Sequence, residues 1–263
     1  MTMRVVKGSL TRVLEVVELL AAEAGWMRLS DVAQRLDLPN GPTHRLLAYL
    51  SETGWVTQSP STGQYRLSLK LPLLGQQYLH NSGLRDPIQP LLDDTSARCK
   101  ELVRLTVKQG DELSWLASSQ GAPPGLMYQP EMRGPVVLHV TANGKAWLAT
   151  MSNEDAVQIA LKGGLGKPGA YGPTAITTIE ELLKELDATR KRGYGLAVEE
   201  AEVGVVALAV AVKYARTNEV VGTISIAGPA QRMTPERLAE FHQLLNGAAE
   251  RLGIVWPRHD AAL

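Results

Sequence analysis

Apolar residues recur at helical spacing three times within the first 55 residues of the chain. Serine is a common helix N-cap and proline suits the first helical position, so the pattern predicts helices that begin at Ser9, Ser30 and Pro42. Gly25 and Gly54 are placed to end the first and third of these helices. The first helix has its apolar positions at Leu10, Val13, Leu14, Val17, Leu20 and Ala21.

Two short runs of strand type, WVTQS and QYRLS, follow the third helix. They are separated by Pro60-Ser61-Thr62-Gly63, a set of turn residues with glycine where a positive φ is expected. Three helices followed by a two-stranded ribbon predict a winged helix-turn-helix domain over residues 1–70.

The third predicted helix opens with polar side chains that a hydrophobic core does not need. In a winged helix-turn-helix this end enters the major groove, and its N–H groups are available to a phosphate. Arg45 suits a phosphate or a guanine. We therefore predict binding to double-stranded operator DNA, with a protein-interaction module as one alternative. The predicted DNA-binding residues are Arg12, Ser30, Asn40, Gly41, Thr43, His44, Arg45, Tyr49, Thr62, Gln64 and Arg66.

The rest of the chain mixes strand and helix patterns. Residues 71–101 are predicted to form linker helices, one of them within LRDPIQPLLDDTSARCKE with Leu84 on its apolar side, and residues 102–263 a second domain of α+β type. The predicted strands are LVRLTVKQ, ELSWLASS, Val136–Val140, Val205–Val212 and Val220–Ile226. The predicted helices are Ala142–Met151, Glu154–Lys162, Glu180–Arg192 and Thr234–Leu252, with Gly253 as the last stop.

Charge and composition narrow the class of protein. The formal net charge is zero, and residues 1–80 carry eight basic and six acidic residues, a net of +2. No acidic residue lies between Thr53 and Arg85, which indicates either a solvated face or a surface cleared of anions for a polyanion. A single cysteine, the lack of a signal peptide and the lack of an apolar run of about 18 residues predict a cytoplasmic protein with no membrane contact.

Enzyme chemistry finds little support in the sequence. The five histidines are scattered, and no metal site or cofactor is expected. His139 lies in an apolar run and is expected to be hydrogen-bonded inside the fold. The run Gly164–Gly169 matches G-x-G-x-x-G but follows a helix and leads into prolines, so it is interpreted as a loop. A small-molecule-binding enzyme remains the second alternative.

Several motifs resemble the IclR (isocitrate-lyase regulator) family of bacterial transcription factors. They are S-x-x-R-x-x-E-x-x-x-L-L from Ser9, LSDVAQRLDLP and THRLLAYLSETGWV, GQYRLSLKL, and the pattern His-x-Thr-Ala-x-Gly-Lys from His139. The resemblance extends through IEELLKELDATRKRGYGLAVEEAEVGVVALAVAV and VVGTISIAGPAQRMT, so it spans about residues 8–253 in the right order. The chain departs from the family at Gly41-Pro42, where Ser-Thr is frequent, and at Ala197, Ala207 and Ala211, where acidic, Cys and Pro residues are frequent.

This resemblance implies an α+β protein with an N-terminal winged helix-turn-helix and a C-terminal GAF-like effector-binding domain. It also implies a homodimer or a dimer of dimers, and a small organic ligand that alters operator binding. Members of the family act as repressors, activators or both.

The resemblance also implies an effector pocket, and the alanines at the matching positions indicate its character. Few polar groups on an apolar wall suit a largely apolar ligand with one polar end, so a small organic or aromatic acid from a catabolic pathway is expected. The alternative is that the alanines simply pack a core. The predicted effector-binding residues are Leu138, Asn143, Val198, Ala207, Ala209, Ser225 and Ala227.

Overall fold

The computed structural model describes residues 9–23, 25–81, 87–130, 134–166 and 169–256. The chain divides into two compact units, Met1–Ser82 and Gly83–Leu263. None of the described helices combines the length and the apolar character that crossing a membrane requires.

The first unit has the predicted order of three helices and a ribbon. The buried side chains of Val16, Leu20, Val32, Leu47 and Leu50 hold its elements together. Its elements are α1 (Ser9–Glu23), α2 (Leu29–Arg35), α3 (Asn40–Glu52), β1 (Val56–Gln58), β2 (Tyr65–Leu67) and α4 (Lys70–Asn81). Strands β1 and β2 are antiparallel, and Met27 adds a bridge to Tyr65 that the sequence pattern did not indicate.

Two of the predicted helix starts in this unit are wrong. Helix α2 begins at Leu29 after Arg28, and the Ser30 hydroxyl donates to Asp31 instead of capping the helix. Helix α3 begins at Asn40, which puts Pro42 at its third position. Proline is tolerated there because the first N–H groups of a helix have no partner within the helix. The side chain of Ser9 lies outside the described residues.

The predicted turn between β1 and β2 is confirmed. Gly63 has a φ of 68°, a backbone conformation that other residues rarely adopt. The turn is closed by a hydrogen bond from the Gly63 N–H to the Ser59 carbonyl at 2.9 Å. The ribbon therefore ends in a tight, exposed loop.

The second unit is built on one antiparallel sheet of five strands in the order β4-β3-β7-β6-β5. Helices α5 and α9 pack on the sheet, and α6 packs on β5, β6 and β7. The strands are β3 (Leu102–Gln109), β4 (Glu112–Gln120), β5 (Gly195–Val198), β6 (Val205–Lys213) and β7 (Val220–Pro229). The helices are α5 (Ile88–Cys99), α6 (Ala142–Leu148), α7 (Asn153–Gly163), α8 (Ile179–Arg192) and α9 (Pro235–Val255).

Most of the predicted elements of this unit are present, but three details are wrong. Residues Val136–Val140 form a turn into α6 and not a strand, since the Thr141 hydroxyl donates back to the Val137 carbonyl at 2.7 Å. Helix α6 ends at Leu148, three residues early. Gly253 lies inside α9, where a Cβ would stand 2.1 Å from the Lys213 carbonyl oxygen, so it permits close packing and does not stop the helix. Leu84, predicted on the apolar side of a linker helix, lies outside the described residues.

Candidate nucleic-acid interface and ligand-binding face

Helix α3 presents its first turn to solvent. It follows an extended Pro39, and no side chain caps it. Pro42 has no N–H and the Thr43 N–H donates to the Pro39 carbonyl, so the free donors at this end are the N–H groups of Asn40 and Gly41. An uncapped helix N-terminus of this kind can bind an anion such as a phosphate.

One face of α3 is exposed over more than two turns. Gly41, Arg45 and Tyr49 are all exposed and are spaced by four residues, which places them on one side of the helix. His44 is exposed beside them, whereas Leu47 and Leu50 are buried. The Arg45 guanidinium is thus clear of the core and free to donate to a base or a phosphate.

Thr43 does not belong to this exposed face, and its prediction as a DNA contact is wrong. Its side chain is fully buried, and its hydroxyl donates to the Pro39 carbonyl at 2.9 Å. Thr43 lies four residues before Leu47 and seven before Leu50, so it shares their inward side of the helix.

The loop of the ribbon carries the other predicted contacts. Thr62 is exposed and Gln64 is half-buried beside it. Arg66 is exposed, and its guanidinium carbon lies 4.4 Å from the centroid of the Trp26 ring. This cation–π contact steadies the side chain and leaves its charge accessible.

The remaining predicted DNA-binding side chains differ in their surroundings. Arg12 is half-buried on α1, and Ser30 is exposed in the first turn of α2. Lys70, one of the cations in the segment without acidic residues, donates to the Thr53 carbonyl at 2.8 Å and lies 4.9 Å from the Trp55 ring centroid. Lys70 is therefore tied to the unit's own structure, and Arg85 lies outside the described residues.

In the second unit, six buried alanines form one continuous patch, which we name the alanine face. The register pairs Ala197 with Ala207 and Ala207 with Ala227, so their methyl groups stand side by side across three strands. The members of the patch are Ala142 and Ala146 of α6, Ala197 of β5, Ala207 and Ala209 of β6, and Ala227 of β7.

An aromatic side chain packs against the alanine face. It is the half-buried Tyr128, from the connection between β4 and α6. Its carbonyl accepts a hydrogen bond from Gln120 at 3.0 Å, which anchors the connection to the end of β4. The Tyr128 ring has the size of a small aromatic ligand, so the alanine face can accommodate a ring of that size.

A buried guanidinium lies on the same side of the sheet as the alanine face. Arg104 of β3 pairs with Ser225 of β7, which in turn pairs with Ala209, so the three side chains point to one side. Arg104 is only 7 % exposed, and its Nε has no hydrogen-bond partner. Its guanidinium carbon lies 4.1 Å from the Trp115 ring centroid and 5.7 Å from that of Tyr128. Burial lowers the pKa of Arg104, although Tyr128, which is hydrogen-bonded to the guanidinium, and the carboxylate of Glu202 oppose this.

A buried amide completes the polar groups on this side of the sheet. Asn143 donates through Nδ2 to the Thr223 hydroxyl at 2.9 Å, and that hydroxyl lies 2.7 Å from the hydroxyl of Thr106. The Oδ1 atom of Asn143 is buried and has no hydrogen-bond partner. It remains available to accept a hydrogen bond from a ligand.

Two of the predicted effector-binding residues lie elsewhere. Val198 is 43 % exposed and follows Ala197 in β5, so it points to the opposite side of the sheet from the alanine face. Leu138 packs with Leu148 and Trp147 in other clusters of the core. Both residues were predicted because they lie in segments of the chain that match the family's pocket. Membership of a segment does not say to which side of a strand, or of a turn, a side chain points. Ser225 is buried on the expected side, but its hydroxyl is a distant 3.5 Å from the Arg104 carbonyl.

A buried ion pair joins α6 to β5 behind the alanine face. The fully buried Lys145 donates to the Leu196 carbonyl at 2.8 Å and pairs with Glu200 at 2.5 Å. Glu185 lies 3.6 Å from the same ammonium and also pairs with Arg192. Burial raises the pKa of Glu200, although Lys145 opposes this. The pair fixes Ala142 and Ala146 of α6 against Ala197 of β5.

Among the described residues, no group of three or more His, Cys, Asp or Glu side chains is placed to hold a metal ion. His139 is buried as expected, with its ring centroid 5.4 Å from that of Tyr171. It is hydrogen-bonded to the Leu165 backbone, as predicted, whereas its Nε2 atom has no partner. Gly164 follows the end of α7 and no helix begins before Ile179, while Lys167 and Pro168 of the glycine-rich run lie outside the described residues.

Arg104 and Tyr128 were missed by the sequence reasoning. For Arg104 a signal existed, because a charged residue in the middle of the strand LVRLTVKQ requires a partner or a ligand once the strand is buried on both sides. For Tyr128 there was no such signal, since it lies in a connection without periodicity.

Comparison with known proteins gives consistent matches over nearly the whole chain. The family model of the IclR helix-turn-helix domain matches residues 9–60, and that of the bacterial transcriptional regulator IclR C-terminal domain matches residues 76–253. The transcriptional repressor IclR of Escherichia coli K12 is 29% identical over 249 residues, which are 94% of this chain and 89% of that protein. The HTH-type transcriptional repressor AllR of Salmonella typhimurium is 29% identical over 242 residues, 92% and 87% of the two chains.

Solved structures share the fold. An IclR transcriptional regulator from Alicyclobacillus acidocaldarius superposes with a TM-score of 0.81 at 22% identity, covering 93% of this chain and 97% of that one. An IclR homolog from Microbacterium hydrocarbonoxydans, complexed with 4-hydroxybenzoate, gives a TM-score of 0.77 at 22% identity, with 95% and 99% covered.

Proposed function

Since the chain belongs to the IclR family of bacterial transcriptional regulators, it is a ligand-responsive DNA-binding regulator and not an enzyme, and we propose that it represses a catabolic operon until a small organic or aromatic acid binds it. One observation carries the effector class: a buried face of six alanines covered by a single aromatic ring. The ligand of the Microbacterium homolog, 4-hydroxybenzoate, belongs to the same chemical class.

The mechanism proposed is a shift between two arrangements of the protein. An effector that binds one arrangement better than the other raises the population of the first, and it can do so only by its difference in affinity for the two. If the arrangements differ in the spacing of two α3 helices, effector binding changes operator affinity by the same coupling free energy.

The direct test is operator binding with and without candidate effectors. Thermal shifts of the purified protein would be measured against catabolic and aromatic acids, and each acid that stabilises the protein would be added to gel retention of promoter DNA. We expect specific retention that at least one such acid reduces. Turnover of a compound without DNA retention would instead indicate an enzyme, and neither result would indicate a protein-interaction module.

We also propose that the functional unit is a homodimer or a dimer of dimers. A helix-turn-helix regulator gains affinity and symmetry by placing two recognition helices on half-sites about 10 bp apart or a multiple of that. The described first unit exposes apolar side chains that could pair two copies, on α4, which has no buried residue, and on α1. Leu73 of α4 is 62 % exposed and Leu10 of α1 is 81 % exposed, and Leu14, Leu69, Leu74 and Tyr78 are exposed as well.

Leu73→Glu is expected to reduce the size of the assembly in sedimentation velocity and to weaken operator binding at least about tenfold. A glutamate on each copy would place two carboxylates in an interface that excludes water, which disfavours association. Leu161→Glu, at an exposed leucine of α7, is the matched control and should change neither quantity. An unchanged assembly and unchanged operator affinity in Leu73→Glu would contradict the role of this face.

Ala207→Leu is expected to abolish the response to an effector while the ligand-free protein still binds the operator. Ala207 pairs with both Ala197 and Ala227, so the larger side chain would occupy the centre of the alanine face. Overpacking typically costs about 1–3 kcal/mol, which the unit should tolerate. Calorimetry with the acid identified above measures the loss, and circular dichroism controls for folding. If the folded variant bound the effector as tightly as the wild type, the effector site would not be the alanine face.

A further inference from the structure

We propose that Arg104 binds the carboxylate of the effector and that the effector's ring takes the place of the Tyr128 ring on the alanine face. This assignment rests on the proposed function and specifies its ligand as a flat aromatic monocarboxylate. Arg104 then decides between acids and neutral compounds of the same shape.

The first step is that Arg104 carries a buried charge without a carboxylate partner. Removing a guanidinium from water costs free energy unless an anion or a full set of acceptors replaces the water. No ion pair within 4.0 Å links Arg104 to another described residue, and its Nε atom has no acceptor.

The other interior arginines of this unit show the contrast. Arg232 donates to both carboxylate oxygens of the buried Glu101, at 2.6 and 2.8 Å, and Arg237 lies 3.5 Å from the same group. Arg192 pairs with Glu185. Arg104 is more deeply buried than any of these side chains, but it has no close ion pair of this kind. Glu202 acts on it only at longer range, and both residues are hydrogen-bonded to the Tyr128 side chain.

The second step is that the guanidinium is held in place by aromatic neighbours. Its carbon lies 4.1 Å from the Trp115 ring centroid, and it is hydrogen-bonded to the Tyr128 side chain, while its Nε has no partner. Displacement of Tyr128 would free that donor for a ligand. A planar fork of donors matches a carboxylate, which can accept two parallel hydrogen bonds from it. A bound carboxylate would also offset the free-energy cost of keeping this charge away from water.

The third step is the shape of the space beside Arg104. The guanidinium carbon lies 5.7 Å from the centroid of the Tyr128 ring, which packs against the alanine cluster, so the Tyr128 ring occupies the space that the ring of the ligand would take. Tyr128 comes from a connection outside the sheet and can be displaced without breaking a strand. The volume next to the guanidinium therefore accepts a ring that carries a carboxylate at one end.

The fourth step concerns the far end of the ligand. Asn143 is hydrogen-bonded to Thr223 of β7. Thr223 lies two residues before Ser225, which is the residue of β7 that pairs with Arg104. Two residues of a strand span about 7 Å, roughly the length of one substituted benzene ring. The unpartnered Oδ1 of Asn143 would accept a hydrogen bond from a hydroxyl at that end. Asn143 is therefore the group proposed to contact a hydroxyl of the ligand away from its carboxylate.

The experiment compares acids with their amides, which have nearly the same shape and no charge. Benzoate, phenylacetate and 2-naphthoate would be titrated calorimetrically into the full-length protein beside benzamide, phenylacetamide and 2-naphthamide. We expect at least one acid to bind and its amide to bind at least about tenfold more weakly. Arg104→Met should weaken the acid about 10- to 100-fold and leave the amide unchanged, since two charge-assisted hydrogen bonds are lost.

Two further variants guard against a folding artefact. Arg104→Lys keeps the charge without the fork and should bind the acid with intermediate strength. Arg98→Met removes an exposed arginine of α5 and should bind like the wild type. Melting temperatures should show that Arg104→Met is not less stable than the wild type, because it removes an unpaired buried charge and keeps an apolar chain against Trp115.

The assignment is overturned if no acid of the set binds the wild type, if acid and amide bind equally, or if a folded Arg104→Met binds the acid like the wild type. The same samples would be tested for operator retention. If a neutral compound releases the operator, the proposed function stands and only the role of Arg104 is lost. If no compound affects retention, or no operator is retained, the proposed function itself is lost.

Discussion

Arg45→Ala is expected to weaken operator binding by about 2–6 kcal/mol in a protein that uses two recognition helices. A base or phosphate contact by arginine contributes about 1–3 kcal/mol, and two separate half-sites contribute nearly additively. The structure favours this contact because Arg45 is exposed on the same face of α3 as Gly41, beside two free backbone N–H groups. Fluorescence anisotropy with labelled operator measures the loss.

The dependence of this loss on sequence and salt identifies the partner of Arg45. Loss of discrimination at one base pair indicates a base contact, whereas a uniform loss with a shallower salt dependence indicates a phosphate. Arg45→Lys keeps the charge, so it should retain most of the operator affinity if Arg45 contacts a phosphate. It should not retain the affinity if Arg45 makes two hydrogen bonds to a guanine. Arg98→Ala, in the second unit, controls for the net charge. If a folded Arg45→Ala protein bound the operator with wild-type affinity, Arg45 would not be a DNA contact.

Lys145→Met is expected to lower the free energy of unfolding by about 3–5 kcal/mol, because it leaves the buried Glu200 without its cation. Lys145 also donates to the Leu196 carbonyl, so the variant loses the link between α6 and β5. Urea denaturation followed by tryptophan fluorescence measures the change; Trp147 lies in α6, two residues from the substitution.

The pH dependence of this loss tests its cause. Without Lys145 the pKa of Glu200 rises further, so the folded protein holds a proton that the unfolded chain releases. A raised folded-state pKa makes stability increase as the pH falls, and the deficit should be smaller near about pH 5 than near about pH 8. Lys145→Met/Glu200→Met should recover part of the lost stability, since both charges are then absent. A deficit independent of pH and of Glu200 would show that packing, not charge, explains it.

The first unit was largely predictable because its pattern is local. Helical spacing, a Pro-Gly break and a glycine turn determine three helices and a ribbon, and each signal lies within a few residues of what it determines. The starts of α2 and α3 were missed because Ser30 and Pro42 are good residues for the first turn as well as for its boundary. Thr43 was misassigned for the same reason, since a shift of two residues rotates a helix by more than half a turn.

The second unit was predictable in its elements but not in its site. Continuous apolar runs such as Val205–Val212 indicate buried strands, whereas the pairing of strands distant in sequence is set by packing. Arg104 is 121 residues from Ser225, and only the register between β3 and β7 brings them side by side. Leu138 and Val198 were predicted from segments, and a segment of strand or turn places its residues on more than one side. The predicted alanines Ala207, Ala209 and Ala227 do share one side of the sheet, because alternate residues of a strand point the same way, and their role in binding an effector stays a prediction.

The alanine face has a practical consequence for changing what the protein senses. Each of its six side chains ends at the Cβ atom, so a substitution there adds atoms at a known place and removes no existing hydrogen bond. Replacement by serine would add a hydroxyl group that can donate a hydrogen bond to the ligand. Replacement by valine would reduce the space for the ligand by the volume of two methyl groups. In the proposed site, a library confined to these positions would sample new ligand shapes and leave α3, the proposed DNA-contacting helix, unchanged. The chain is therefore a suitable starting point for genetically encoded biosensors, in which a reporter gene replaces the natural operon.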